Sequence, residues 1–289
     1  SVKVLGIAQD GGLPHAACRC PRCEAARRDP TRASGVASLA LVAPIAKKVY
    51  LVDAAPEITD QLALLDTERK APLGKVDRAP IDGVFLTHAH MGHYLGLAWL
   101  GFEAVSTRGV PVWASERMGS FLRTNGPWDQ LVSQGNIAVK PVRPGEAVAL
   151  PDGLSVTPLA VPHRDEYSDT MAYFITGPDR RLLYVPDTSP WRAWKRPLED
   201  HLEGVDVALL DGTFYSGDEL PGRDLTKIGH PLVVDTMDLL QSRVDAEKLE
   251  VWFVHLNHSN PALDPKSEAR KTLERRGFRV AKPGQDIGL

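Results

Sequence analysis

Short apolar, β-branched runs alternate with amphipathic stretches along most of the chain. The runs predict strands at Val2–Ala8, Ser38–Val42, Lys48–Asp53, Ile81–Thr87, Val110–Trp113, Ile137–Val142, Leu154–Val161, Met171–Ile175, Leu182–Val185, Val205–Leu210 and Leu249–His255. Amphipathic spacing predicts helices at Glu57–Asp66, His93–Gly101, Ser115–Thr124, Leu232–Ser242 and Pro265–Arg276. The last has Asp264 as its N-cap and Pro265 at its first helical position. Arg69–Pro80 and Gly217–Gly229 are polar, Gly/Pro-containing stretches and read as long surface loops. Each half delivers several strands followed by a helix, and no internal repeat is present. The expectation is an α/β chain with two β-sheets packed face to face, helices outside, in one domain over residues 1–289.

Composition adds mainly exclusions. Apolar residues make up 43% and charged residues 25% of 289, the balance of an ordinary globular chain. The net charge of −3 comes from 34 basic and 37 acidic residues mixed along the chain. No nucleic-acid or membrane partner is expected, and no apolar run approaches the ~20 residues that span a bilayer. A small-molecule substrate is expected, and a homodimer is left open. The cytoplasm is the expected location, although a start at Ser1 leaves a removed leader open.

Chemistry concentrates in Leu86–Leu97, LTHAHMGHYLGL. Val84-Phe85-Leu86 reads as a buried strand, so His88 and His90 fall at its C-terminal end. Residues i and i+2 of an extended chain point the same way, which aims two imidazoles at one place. His93 enters from the start of the following helix. A lone histidine more often caps a helix or fills a polar core position, but three at this spacing are the ligand set of a borderline metal. His163, Asp187 and His255 also end strand-like runs, where sheets gather their sites. A carboxylate at Asp187 is placed to bridge two cations.

Cys18, Cys20 and Cys23 form C-x-C-x-x-C, and three clustered cysteines argue for a metal knuckle at about residues 15–23 rather than a disulfide framework. The fourth ligand is expected to be His258, with His15 as the local rival. A closed set of four would hold a structural zinc ion. Trp99, Trp128, Trp191 and Trp194 are candidates to line an apolar pocket, although buried aromatics more often serve packing.

The order His88, His90, His93, then His163, Asp187 and His255, resembles the metallo-β-lactamase superfamily. Within it, the cyclic phosphodiesterase family of phosphonate breakdown is similar in its cysteine knuckle and in a histidine three residues after the last active-site histidine. The pyrroloquinoline quinone biosynthesis B family is similar along nearly the whole length, through KVLGIAQDGGLPHAACRCPRC, AAPEITDQL, LLDGTFYSGDELPGRD, KIGHP and HLNHSNPALDPKSEA. The resemblance implies an αββα sandwich with one or two ions of zinc, manganese or iron at one edge. His88, His90 and His163 would hold the first, Asp187 would bridge, and His93, Asp187 and His255 would hold the second. The superfamily's H-x-H-x-D-H acid is replaced here by Gly92, so the second site is expected to be one ligand short and to gain affinity in a Gly92→Asp variant. His230, in KIGHP, aligns with a histidine that would serve as general acid.

Three functions follow from that resemblance. One is a metal-dependent hydrolase of phosphodiesters or related phosphoesters. Another is an iron-dependent oxidation of a tyrosine-containing precursor in cofactor biosynthesis. The third is non-catalytic metal binding. Biosynthesis B proteins look degenerate in the H-x-H-x-D-H stretch, whereas this chain keeps three histidines, which favours hydrolysis.

Overall fold

The computed structural model describes residues 1–69, 74–219, 222, 224, 229–246 and 248–289. Parts of both expected loops, residues 70–73 and most of 220–228, lie outside these described residues. The first sheet contains β1 (Val2–Gly6), β2 (Ser38–Ala43), β3 (Lys48–Val52), β4 (Gly83–Phe85), β5 (Val110–Ala114) and β6 (Ile137–Pro141). The second contains β7 (Val148–Ala149), β8 (Ser155–Val161), β9 (Thr170–Thr176), β10 (Arg181–Val185), β11 (Val207–Asp211), β12 (Glu250–Val254) and β13 (Arg279–Val280). β14 (Asp286–Ile287) returns to pair with β1, giving the orders β14-β1-β2-β3-β4-β5-β6 and β13-β12-β11-β10-β9-β8-β7. These are two mixed seven-stranded sheets flanked by helices, the αββα sandwich.

The period-2 pattern decides which side chains meet. In β2, Leu39, Leu41 and Ala43 join the core between the sheets, while Ala40 and Val42 join the core beneath the helices. Both faces of the strand are covered, which is why it reads as a continuous apolar run. Phe85 stacks on Trp113 at 4.5 Å between ring centroids and meets Tyr173 of the opposite sheet edge-on. The Tyr173 hydroxyl also donates to the Leu86 carbonyl, tying the sheets together next to the histidine turn.

Strand direction positions the site. β3, β4, β5 and β6 run parallel, as do β10, β11, β12 and β13. β1 is antiparallel to β2, which is antiparallel to β3, so β1 points the same way as β3. The same parity makes β8 point with β10. Residues following β1, β3, β4, β8, β10, β11 and β12 therefore emerge along one edge of the sandwich.

Several elements differ from expectation. After His90 the chain makes one helical turn, Met91–Tyr94, and continues as a 3₁₀ segment, Leu95–Leu100. The last helix is Glu268–Arg275 and is capped by Ser267, whose hydroxyl accepts from Arg270 N. Asp264 instead accepts from Lys266 N in the preceding turn. Helices at Pro21–Arg28, Trp128–Ser133 and Leu198–His201 were not anticipated, being short or embedded among knuckle residues and prolines. Among the described residues no helix is long and apolar enough to cross a membrane.

Candidate metal centre

β4 ends at Phe85, and the next residues turn into the edge as Thr87, His88, Ala89 and His90. His88 and His90 join His163, from the turn after β8, and Asp187, after β10, in a group whose ligand atoms all lie within 4.8 Å of one another. Asp187 Oδ2 lies 3.2 Å from His88 Nε2, 3.1 Å from His163 Nε2 and 3.7 Å from His90 Nδ1. It also lies 3.8 Å from His255 Nε2, while Oδ1 lies 3.2 Å from His230 Nδ1. Four atoms at this edge, His88 Nε2, His93 Nε2, His255 Nε2 and Asp187 Oδ1, are buried with no hydrogen-bond partner among the described residues. Buried polar atoms are nearly always satisfied, so converging orphaned imidazole and carboxylate lone pairs fit cations held between them.

The other ring nitrogens are held from behind. His93 Nδ1–H donates to Asp53 Oδ2 at 2.7 Å, and the Thr87 hydroxyl donates to the same carboxylate. His88 Nδ1 lies 2.9 Å from Thr87 Oγ1. Across the cleft, the Thr213 hydroxyl donates to Asp211 Oδ1 and lies 2.9 Å from His255 Nδ1. Each Nδ1–H is thereby engaged and Nε2 is left facing the cleft, the tautomer a metal requires.

Burial pushes His93 down, but the charge and hydrogen bond of Asp53, with Asp10 and Asp187, overcome it and raise the group to about 9. Burial and the nearby His93 charge hold His88 well below the usual histidine value. Burial would also depress His230, yet Asp211 and Asp187 raise it well above its ordinary value. Asp187 stays far below the carboxylate range because His255 and His230 outweigh its burial.

His93, Asp187 and His255, expected to act as one trio, are divided. His255 is shared between two groups, one with Asp187, Asp211 and His230 and the other with His93 and Asp10. Gly92 offers no side chain, but a carboxylate from another segment lies beside it. The Asp10 carboxylate, from the loop after β1, fills the space beside Gly92 and accepts from Gly92 N at 3.1 Å. Asp10, Asp53, Asp211, Thr87 and Thr213 were not singled out from the sequence. The signal was present for the acids, which follow or end apolar runs as IAQD, YLVD and VALLD.

Cys18, Cys20, Cys23 and His258 form a separate four-residue group. His15 packs its ring on His258 at 4.3 Å between centroids and lies outside that group. Arg22 donates to the His258 carbonyl, joining the two segments. Burial lifts the Cys23 thiol to about 11; Cys20, despite its own burial, is lowered by hydrogen bonds from Cys23 and Cys18. Of the tryptophans, Trp194 donates to Thr188 Oγ1 beside Asp187, and Trp191 donates to Thr236. Trp128 packs on Tyr94, and Trp99 is half exposed.

Residues 48–256 match the β-lactamase superfamily domain. The chain belongs to the metallo-β-lactamase superfamily. Within this superfamily it is similar to coenzyme PQQ synthesis protein B of Rhodopseudomonas palustris, at 30% identity over 100% of this chain and 99% of that protein. The protein of the same name from Methylobacterium sp. strain 4-46 is 29% identical over 99% of each. In fold it is similar to the zinc-bound PqqB of Methylobacterium extorquens, with a TM-score of 0.82, 24% identity and coverage of 100% and 99%. A diphosphatase of the PhnP family follows at TM-score 0.68 and 21% identity, covering 98% and 94%.

Proposed function

We propose that this protein is a metal-dependent enzyme with the role of coenzyme PQQ synthesis protein B, acting on a tyrosine-derived small-molecule precursor. The observation that carries this is similarity over the full length of both chains, 30% across 100% and 99%. That reverses the preference for hydrolysis drawn from the three retained histidines, since the diphosphatase is similar at the level of fold.

His88 Nε2, His90 Nδ1, His163 Nε2 and Asp187 would hold the first ion. His255 and His93 would contribute to a second. Bound zinc or manganese supplies Lewis acidity at such a site, and bound iron supplies redox chemistry toward dioxygen. The chain's own residues do the rest. Thr87, Asp53, Thr213 and Asp211 fix the imidazole orientations, and His230, held protonated by Asp211 and Asp187, is the proton donor at the cleft. The four-residue cysteine group would hold a structural zinc ion that closes the N-terminal loop against residues 255–258.

The phosphoester hydrolase remains as a second reading because His230 is a raised, buried proton donor, the group a departing alkoxide needs. One experiment separates them. Iron-, manganese- and zinc-loaded protein is assayed for dioxygen uptake with tyrosine-derived quinone precursors and for hydrolysis of bis(p-nitrophenyl) phosphate. The same chain is expressed in a strain lacking PQQ synthesis protein B. Restored PQQ and iron-dependent oxygen uptake are the expected result; metal-dependent phosphodiester hydrolysis with no restoration would replace the first reading with the second.

A further inference from the structure

Gly92 stands where the superfamily motif carries an acid, and it cannot be exchanged for that acid in this fold. A Cβ built on Gly92 would lie 2.3 Å from Asp10 Oδ1 and 2.9 Å from both Asp10 Cα and Val36 Cγ1. The place is taken by a carboxylate from another part of the chain. We infer that Asp10 is the carboxylate ligand of a second cation held by His93 and His255, and that residue 92 is glycine to admit it. This rests on the metal-centre reading above.

Placement is the first support. β1 points with β3, so the loop after it delivers Asp10 to the edge that receives His93 and His255. Asp10, His93 and His255 each offer a ligand atom within 4.8 Å of the others.

Aim is the second. Gly92 N–H donates to Asp10 Oδ1 at 3.1 Å, and Gln9 Nε2 donates to Oδ2 at 2.9 Å, which fixes the carboxylate plane. Asp10 Oδ1 stands 3.6 Å from His93 Nε2, too far for a hydrogen bond. It is close to the roughly 3.3 Å between neighbouring ligands of a tetrahedral ion with bonds of about 2.0 Å.

The third support is the pair of orphaned atoms. His93 Nε2 and His255 Nε2 are buried, face this carboxylate and lack hydrogen-bond partners among the described residues. An ion between the three satisfies all of them at once.

The loop is also built to hold position. Gln9 N donates to Leu256 O and Leu256 N donates to Ile7 O, stitching Asp10 to the residue after His255. Gly12 takes a positive φ of 70° and its N–H returns to Gln9 O at 2.7 Å, closing the turn around Asp10. A bystander acid would have no need of such fixing.

The test measures metal rather than turnover. Full-length wild type, Asp10→Asn and Gly92→Ala are dialysed against graded zinc–chelator buffers, and zinc per chain is read by elemental analysis. Cobalt(II) absorption spectra give a second readout. Wild type should hold two ions in the histidine cleft besides the cysteine-bound one. Asp10→Asn should weaken one of the three at least tenfold and leave two unchanged, with a changed cobalt spectrum. Gly92→Ala should give the same loss although it removes no donor atom, because its methyl displaces the carboxylate. Wild-type affinity and spectrum in Asp10→Asn would overturn the inference alone. Loss of all three ions together would overturn it as well, marking Asp10 as a structural residue. A wild-type cleft that takes up no ion would overturn the metal-centre reading and this inference with it.

Discussion

His93 Nδ1 lies 2.7 Å from Asp53 Oδ2, and neither side chain has any solvent exposure. Asp53 follows β3 directly, in the left-handed region at φ 67°, a strained conformation outside glycine, and it also accepts from Thr87 N and Thr87 Oγ1. One carboxylate thus fixes His93 directly and His88 through Thr87. Asp53→Asn keeps the shape but turns an amide donor toward these donors. Loss of such an orienting partner weakens metal binding by about 10–100-fold, and leaving a buried donor unsatisfied costs about 1–3 kcal/mol. Zinc titration and chemical denaturation of the variant should show both losses; unchanged affinity would mean the contact is only structural.

The same pair sets a pH dependence in metal-free protein. His93 is raised from 6.5 to about 9, so its contribution to stability is complete below about 6.5 and is lost as pH rises through about 9. A cation at Nε2 must displace a proton below that range. Apparent affinity at this site should therefore increase with pH, by up to about tenfold per unit, and level off near 9. Calorimetric titration at pH 7 in buffers of different ionisation heat should report close to one proton released from this site. A result of none would show that His93 is already neutral.

Much of this arrangement was legible in the chain. Strand ends in FLTHAH, AVPH, YVPD and VWFVH led to His88, His90, His163, Asp187 and His255, and the sheets bring those ends to one edge. The same rule applied to IAQD, YLVD and VALLD would have added Asp10, Asp53 and Asp211. What it lacked was direction: Asp10 reaches the edge only because β1 and β3 point the same way across β2, a non-local fact. The helix expected at His93–Gly101 runs largely as a 3₁₀ segment in which Gly96 N donates to the Ala54 carbonyl, so close that a Cβ would strike the Ala54 and Ala55 carbonyls, an approach that periodicity does not encode. β7, β13 and β14 are two-residue edge pairs, too short to carry a pattern.

Cys20→Ala should act on stability and on one zinc equivalent, not on the first histidine site. Cys20 is the N-cap of Pro21–Arg28 and belongs to the group with Cys18, Cys23 and His258. Losing one thiolate opens that group, leaving the Arg22 contact to the His258 carbonyl and the His15–His258 ring contact to tie the cysteine loop to His258. The expected result is one zinc fewer per chain and a melting temperature several degrees lower, with cobalt binding at His88, His90 and His163 retained. An unchanged zinc count would remove the knuckle assignment.

Tyr173→Phe probes the joint between the sheets. The ring is fully buried and its hydroxyl donates to the Leu86 carbonyl, one residue before Thr87. Removing the hydroxyl leaves that carbonyl without this donor in a dry site, at a cost of about 1–3 kcal/mol. Urea unfolding should show a lower midpoint with an unchanged slope. A midpoint equal to wild type would mean that the contact is not maintained in solution.

His230→Gln distinguishes a proton donor from a metal ligand. His230 Nδ1 lies 2.9 Å from Asp211 Oδ2 and 3.2 Å from Asp187 Oδ1, close enough to the cleft for either role. Burial alone would lower its pKa, but in the metal-free protein the two carboxylates raise it well above 6.5, which favours the imidazolium. A raised group is protonated below its folded value and lost as donor above it. Wild-type turnover should therefore hold through neutral pH and fall on the alkaline side. The glutamine variant should lose that alkaline limb and about 10²–10⁴-fold in rate while its metal content stays unchanged. If the variant instead loses one ion per chain, His230 is a ligand, and the proton donor must be sought elsewhere on the same edge.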